Sequence, residues 1–181
     1  MPSNRSQKDT PEPAGTGRVH RLRNAAFATG LVAAASVAGS AATDPDGHWY
    51  ARLKKPTWQP PSSAFPVVWT SLYASIAVTS TLVLNELERR GDEAAAAEYR
   101  RKLAVNLTLN GLWSWLFFRS HRLDAATVGA AALAASSTAL ARSAGRARGR
   151  YGLSLLPYAA WTSFATVLAG TIWSLNRRRA S

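Results

Sequence analysis

The residues best equipped for chemistry in this sequence are aromatic and amide side chains set at helical intervals. All seven tryptophans of the 181-residue chain fall between Trp49 and Trp173. Asn106, Asn110, Trp113 and Phe117 follow one another by four, three and four residues, so they share one helix face. Trp69, Tyr73 and Ile76 form a second stripe, and Pro157, Trp161, Ala165 and Leu168 a third. Indoles and phenols spaced in this way stack on flat apolar molecules, each offset pair giving about 0.5–1.5 kcal/mol beyond area burial. Amides among them need hydrogen-bond partners, either a neighbouring helix or a ligand carboxylate or carbonyl. A single stripe reads as core packing. Three together read as a ligand cavity, because membrane helices associate through small residues and hydrogen bonds without needing large aromatics.

Other chemistries find little support. Cysteine is absent, which removes disulfides, thiolate nucleophiles and Cys-ligated zinc. His20, His48 and His121 lie in the tail or at helix ends, which disfavours axial haem ligation and leaves no metal site to predict. Paired carboxylates, a Ser-His-Asp set and a glycine-rich phosphate loop are missing from the apolar segments, so no conventional hydrolase is visible. A net charge of +12 would point to nucleic acid if the cations formed a face or groove. Instead they cluster in short hydrophilic segments between uncharged runs, which is a membrane-topology pattern.

The elements that must position the aromatics are those runs. Mean hydropathy is only −0.11, because polar ends and loops dilute long apolar stretches. Residues 1–24 read as a disordered basic tail with no fold assigned. Ala25–Ala42 then carries no charge and reaches about 27 Å at 1.5 Å per residue, close to the roughly 30 Å hydrocarbon core. Pro66–Asn85, Leu103–Phe118, Ala125–Ala141 and Tyr151–Asn176 are the other uncharged runs, of which Leu103–Phe118 and Ala125–Ala141 are only marginally long. The predicted fold class is all-α, an integral membrane bundle of five transmembrane helices over residues 25–176, followed by a basic tail at 177–181. Ala26, Gly30, Ala34 and Ala38, like Ala126, Ala130 and Ala134, form small-residue ridges for close helix approach, although alanine enrichment alone would also produce them. The first run has a rival reading as a signal peptide, with Arg18, Arg21 and Arg23 before it and Gly39, Ser40 and Ala41 at its end.

Two loops carry further information. The segment WYARLKKPTWQPP, Trp49 to Pro61, combines stiff aromatics, prolines and cations, as expected of a lid over a membrane-embedded site. Its Arg52, Lys54 and Lys55 suit either ligand carboxylates or lipid phosphates. The segment ELERRGDEAAAAEYRRK, with five acidic and five basic residues around Gly91, reads as helical turns with a solvated face, Asp92 capping the second of them. Counting Lys and Arg near helix ends puts fourteen on the side of the amino terminus and eight on the side of the lid. The amino terminus is therefore expected in the cytoplasm, with the lid and carboxyl terminus outside.

These residues resemble the TspO/MBR family, the tryptophan-rich sensory proteins and translocator proteins. The resemblance runs from about Ala25 to Asn176 and rests on four ordered blocks. They are Trp49-Tyr50 with Leu53, Lys55, Pro56, Trp58, Pro60 and Pro61; Trp69 with Leu72 and Tyr73; Asn106, Asn110, Trp113 and Phe117-Phe118; and Pro157-Tyr158, Trp161, Phe164-Ala165-Thr166, Trp173 and Asn176. It implies a five-helix bundle in a bacterial cell membrane, often a homodimer, acting as a receptor for protoporphyrin, haem or synthetic aromatic ligands, with no resident cofactor. Residues matching Trp69 and Trp113 are linked in the family to light-dependent porphyrin breakdown, which makes a degrading enzyme the alternative and these two its catalytic residues. The expected ligand contacts are Trp49, Trp58, Trp69, Tyr73, Asn110, Trp113, Trp161, Ala165 and Leu168. Transport is the third reading, disfavoured because no charged residue in the apolar segments marks a path. Ala169 and Gly170 stand where many relatives have Asn and an aromatic residue, so sterol binding is not expected. Gly129 replaces a frequent acidic residue, and Pro66-Val67 a Gly-Pro pair.

Overall fold

The structure is a computed structural model that describes residues 14–45 and 47–177. Among these residues there are six α-helices and no strand. They are α1 (Ala14–Ala42), the single turn α2 (His48–Ala51), α3 (Ala64–Arg89), α4 (Glu93–Ser114), α5 (Leu123–Ala147) and α6 (Gly149–Asn176). Four of them, α1, α3, α5 and α6, are long and apolar enough to cross a membrane. The hydropathy of α4 is lowered by its charged first turns, Glu93 to Lys102.

Each helix boundary has a local cause. Pro66 falls in the first turn of α3, where a missing N–H costs no intrahelical bond. The end of α3 closes on Gly91, whose φ of 70° is open to glycine without strain. Its N–H donates to Glu88 O at 2.9 Å and that of Asp92 to Leu87 O at 3.0 Å, the paired bonds of a Schellman stop. Asp92 then caps α4, its carboxylate accepting from Ala95 N at 3.0 Å. The expected cap is thus found. Past Ser114 the helix widens into a π-helical turn, Trp115–Arg119, which re-aims Phe117 and Phe118.

Helix α1 begins at Ala14, well before the tail-to-helix boundary expected at residue 25, so 14–24 is helical; residues 1–13 and 178–181 lie outside the described residues. The extension is held by side chains. Buried Asn24 donates to Glu88 Oε2 at 2.8 Å and Asn85 Oδ1 at 3.0 Å, Arg23 reaches Glu88 at 3.0 Å, and Arg100 bonds both Glu88 and Asn24. Nearby, Glu86 collects Arg89 at 2.7 Å, Arg90 at 2.8 Å and Arg148 at 3.0 Å. The expected solvated face holds for Arg89, Arg90, Asp92, Glu93, Glu98 and Arg101, which are exposed, but not for Glu86 and Glu88, which are only 6% and 15% exposed and tie α1, α3, α4 and the α5–α6 junction together.

The core falls into two clusters. One, around Leu84, Tyr99, Leu103, Leu140 and Leu155, fills the half of the bundle near these ion pairs. The other, around Phe117, Ala126, Leu168 and Ile172, lies beneath the 47–63 connection. Large apolar side chains also point outward on every long helix: Val37, Val78, Val105, Leu112, Val128 and Val167 are all more than half exposed. An apolar perimeter on an apolar core is what a lipid solvent requires.

Candidate functional site

A cavity of about 360 Å³, partly open, lies between α1, α3, α4 and α6 at the end covered by the 47–63 connection. From α3 come Phe65, Trp69, Thr70 and Tyr73; from α4 and its π turn Asn110, Trp113, Ser114, Phe117 and Phe118. Helix α6 adds Trp161, Phe164, Ala165, Leu168 and Ile172, and the covering connection adds Tyr50 and Ser62. The rings are arranged as mutually supporting pairs. Trp69 tilts against Tyr73 at 5.4 Å, Trp113 against Phe117 at 5.7 Å and Trp161 against Phe164 at 5.2 Å, while Phe65 meets Trp161 edge-on at 5.7 Å. Such walls of paired rings offer aromatic surface to whatever lies between them.

Trp69, Tyr73, Asn110, Trp113, Trp161, Ala165 and Leu168, seven of the nine expected contacts, are brought to this one wall. Trp49 and Trp58 do not line it. Trp49 stacks on His121 at 4.2 Å and meets Phe117 edge-on at 5.8 Å, so it backs a wall residue from outside. Trp58 does the same behind Phe164 at 5.9 Å and stays 47% exposed. The unusual backbone of His121, φ 55°, turns the chain after the π turn so that its ring faces Trp49.

Sequence reasoning missed the α1 contribution. Ser36, Gly39 and Ser40, with Thr43 just past the end of the helix, line the cavity at intervals of three, one and three residues. Their spacing on one face was available as a signal, but in an alanine-rich helix it merges with the small-residue ridge. Tyr50, Phe65 and Phe164 were also missed as wall residues, being stationed by the connection and by the α3 and α6 registers.

Helix α5 lines no part of the cavity but orients it. Trp113 donates its indole N–H to Ala126 O on α5 at 3.1 Å, which fixes the ring plane. At Gly129 a Cβ would lie 3.1 Å from Leu116 Cδ1 and 3.8 Å from Trp113 Cδ1, so the bare α-carbon admits the Trp113 turn of α4. The glycine noted as a departure thus acts behind the wall.

The cover is clasped to α6 at Asn176 and braced within itself around Tyr50. The Lys54 N–H donates to Asn176 Oδ1 at 3.0 Å, and Asn176 Nδ2 donates to Lys54 O at 2.9 Å and to Ile172 O at 2.7 Å. Gln59 donates to the Tyr50 hydroxyl at 3.2 Å, while the Lys55 ammonium sits 3.9 Å from the Tyr50 ring centre. Burial pushes the Tyr50 hydroxyl above its ordinary pKa even though the Gln59 bond works the other way. Arg52, Lys54 and Lys55 are absent from the cavity wall. Among the described residues no three His, Cys, Asp or Glu side chains group as metal ligands would.

This assembly has recognisable kin. A profile described as the TspO/MBR family matches residues 27–174, most of the chain. The chain belongs to the TspO/MBR family. Among its relatives are Protein CrtK of Rhodobacter capsulatus, 32% identical over 151 residues that cover 83% of this chain and 92% of that one. The Tryptophan-rich protein TspO of Chlorobaculum tepidum is 32% identical over 152 residues, 83% and 94% of the two chains. The Translocator protein of Sus scrofa is 31% identical over 136 residues, 73% and 77%. Family membership and the apolar helices together make this TspO/MBR chain an integral membrane protein.

Proposed function

We propose that this TspO/MBR protein is a membrane receptor of five spans that takes a flat tetrapyrrole, protoporphyrin or haem, into its aromatic cavity. One observation carries the reading: Trp69, Trp113 and Trp161 reach a single cavity from three different helices, each paired with a second ring that also lines it. Its volume, about 360 Å³, falls within the range of roughly 300–1,000 Å³ typical of small-molecule sites. The fifth span is α4 with its π turn, supported by outward-facing Val105 and Leu112 and by the uncharged run 103–118. The excess of cations at the Glu86 end supports a cytoplasmic amino terminus.

The test is a dark titration of detergent-purified protein with protoporphyrin, following tryptophan fluorescence with correction for inner-filter absorption. Saturable one-site quenching is expected, with affinity about tenfold lower in the Trp69→Phe, Trp113→Phe double variant. Linear quenching identical in both proteins would mean partitioning into detergent and would overturn the reading. A second reading, light-driven oxidation of the bound pigment by oxygen with Trp69 and Trp113 as the catalytic pair, draws support from both indoles facing one cavity. Under illumination the double variant should then retain the porphyrin absorption band that the parent loses.

A further inference from the structure

A chain of buried hydrogen bonds runs from the cavity wall into the bundle, and its direction can be worked out from the far end. Ser137 has one hydroxyl proton, and it is committed to the Leu133 carbonyl at 2.8 Å. Toward Asn106 the Ser137 oxygen therefore acts as acceptor, taking Nδ2 at 3.0 Å. This fixes the amide so that Asn106 Oδ1 faces Tyr158, whose hydroxyl donates to it at 2.9 Å. With its proton so committed, the Tyr158 oxygen accepts from Asn110 Nδ2 at 3.3 Å. Asn110 Oδ1 is left to accept from the Tyr73 hydroxyl, at 2.7 Å. Ser137 and Asn106 are 0% exposed, Tyr158 1% and Asn110 3%, so no competing solvent can reorient the series.

The consequence is felt at the wall. The proton of Tyr73 points inward, and among the described residues its hydroxyl makes no other hydrogen bond. The oxygen lies beside Gly39, where a Cβ would sit 3.8 Å from it, and both residues line the cavity. We infer that Tyr73 is a specificity-determining residue that offers the cavity only an acceptor, so that the preferred flat aromatic ligand brings an N–H or O–H donor on the edge facing α3. A ligand presenting a carbonyl or ether oxygen to the Tyr73 hydroxyl sets two acceptors against each other, which is a discriminating arrangement. This rests on the reading of the cavity as a tetrapyrrole site, in which the edge donor is the O–H of a propionic acid held neutral against the Tyr73 oxygen, and it adds which edge chemistry the cavity selects.

The test uses two probes of the same shape, a phenylindole and the corresponding phenylbenzofuran, in which the ring N–H is replaced by oxygen. Each is titrated against the full-length protein and against Tyr73→Phe, with binding followed calorimetrically in detergent. The wild type should bind the indole about tenfold tighter than the benzofuran. Tyr73→Phe should reduce that ratio to near one while keeping benzofuran affinity within about twofold, which also reports an intact cavity. Equal saturable binding of both probes to the wild type, or an indole advantage that survives Tyr73→Phe, overturns the inference but leaves the cavity reading standing. Absence of saturable binding of either probe overturns both.

Discussion

Asn106 is a fully buried amide whose donors and acceptor are all engaged, with Ser136 and Ser137 on one side and Tyr158 on the other. Asn106→Leu keeps the volume but strands the Tyr158 proton and removes the bond to α5. Thermal unfolding in detergent should show a loss of about 1–2 kcal/mol. Tyr158→Phe alone should cost a similar amount, and the double variant less than the sum, with a coupling near 0.6 kcal/mol. Strict additivity would mean that the two side chains do not share a bond. The same residue scale explains why Trp113 is less replaceable than Trp69: its N–H is tied to the Ala126 carbonyl, so losing the indole also frees the ring orientation.

Among elements, the α5–α6 hairpin depends on a bare backbone contact. A Cβ at Gly152 would lie 2.9 Å from Gly145 Cα and 3.0 Å from Ala141 O, both backbone atoms with no rotamer to yield. Gly152→Ala should therefore lower stability by about 1–3 kcal/mol, whereas Gly149→Ala, with nothing within 4 Å of its Cβ, should melt like the parent. Much at this scale was legible beforehand. Each uncharged run lies in a helix or in the π turn that continues one, and Asp92 caps as its type and position implied. The start of α1 was not legible, because Arg21 and Arg23 remove the apolar signal while Asn24 and Arg23 find partners on α3 that are over sixty residues away in sequence. Nor were the positions of Trp49 and Trp58. Composition marked the connection as a cover, but a two-sided loop gives no periodicity to tell an inward indole from one packed behind the wall.

For the whole molecule, the absence of cysteine allows topology to be read from single introduced thiols. A membrane-impermeant maleimide applied to intact cells should label Thr57→Cys and Arg122→Cys, both at exposed positions, and label Glu93→Cys only after permeabilisation. Labelling of Glu93→Cys and Arg122→Cys from the same side would remove α4 from the set of spans, and a full reversal would invert the orientation. The molecule is also joined end to end, since Asn176 in the last turn of α6 holds the cover over the cavity through the main chain of Lys54. A side chain that reads backbone is blind to sequence. Position 54 can thus drift to any residue that keeps its N–H, proline alone being barred, while position 176 demands a donor and an acceptor on one short amide. Tolerance to change is lopsided across this clasp: the loop is free to vary its surface chemistry, and the constraint that keeps it seated is carried more than a hundred residues away.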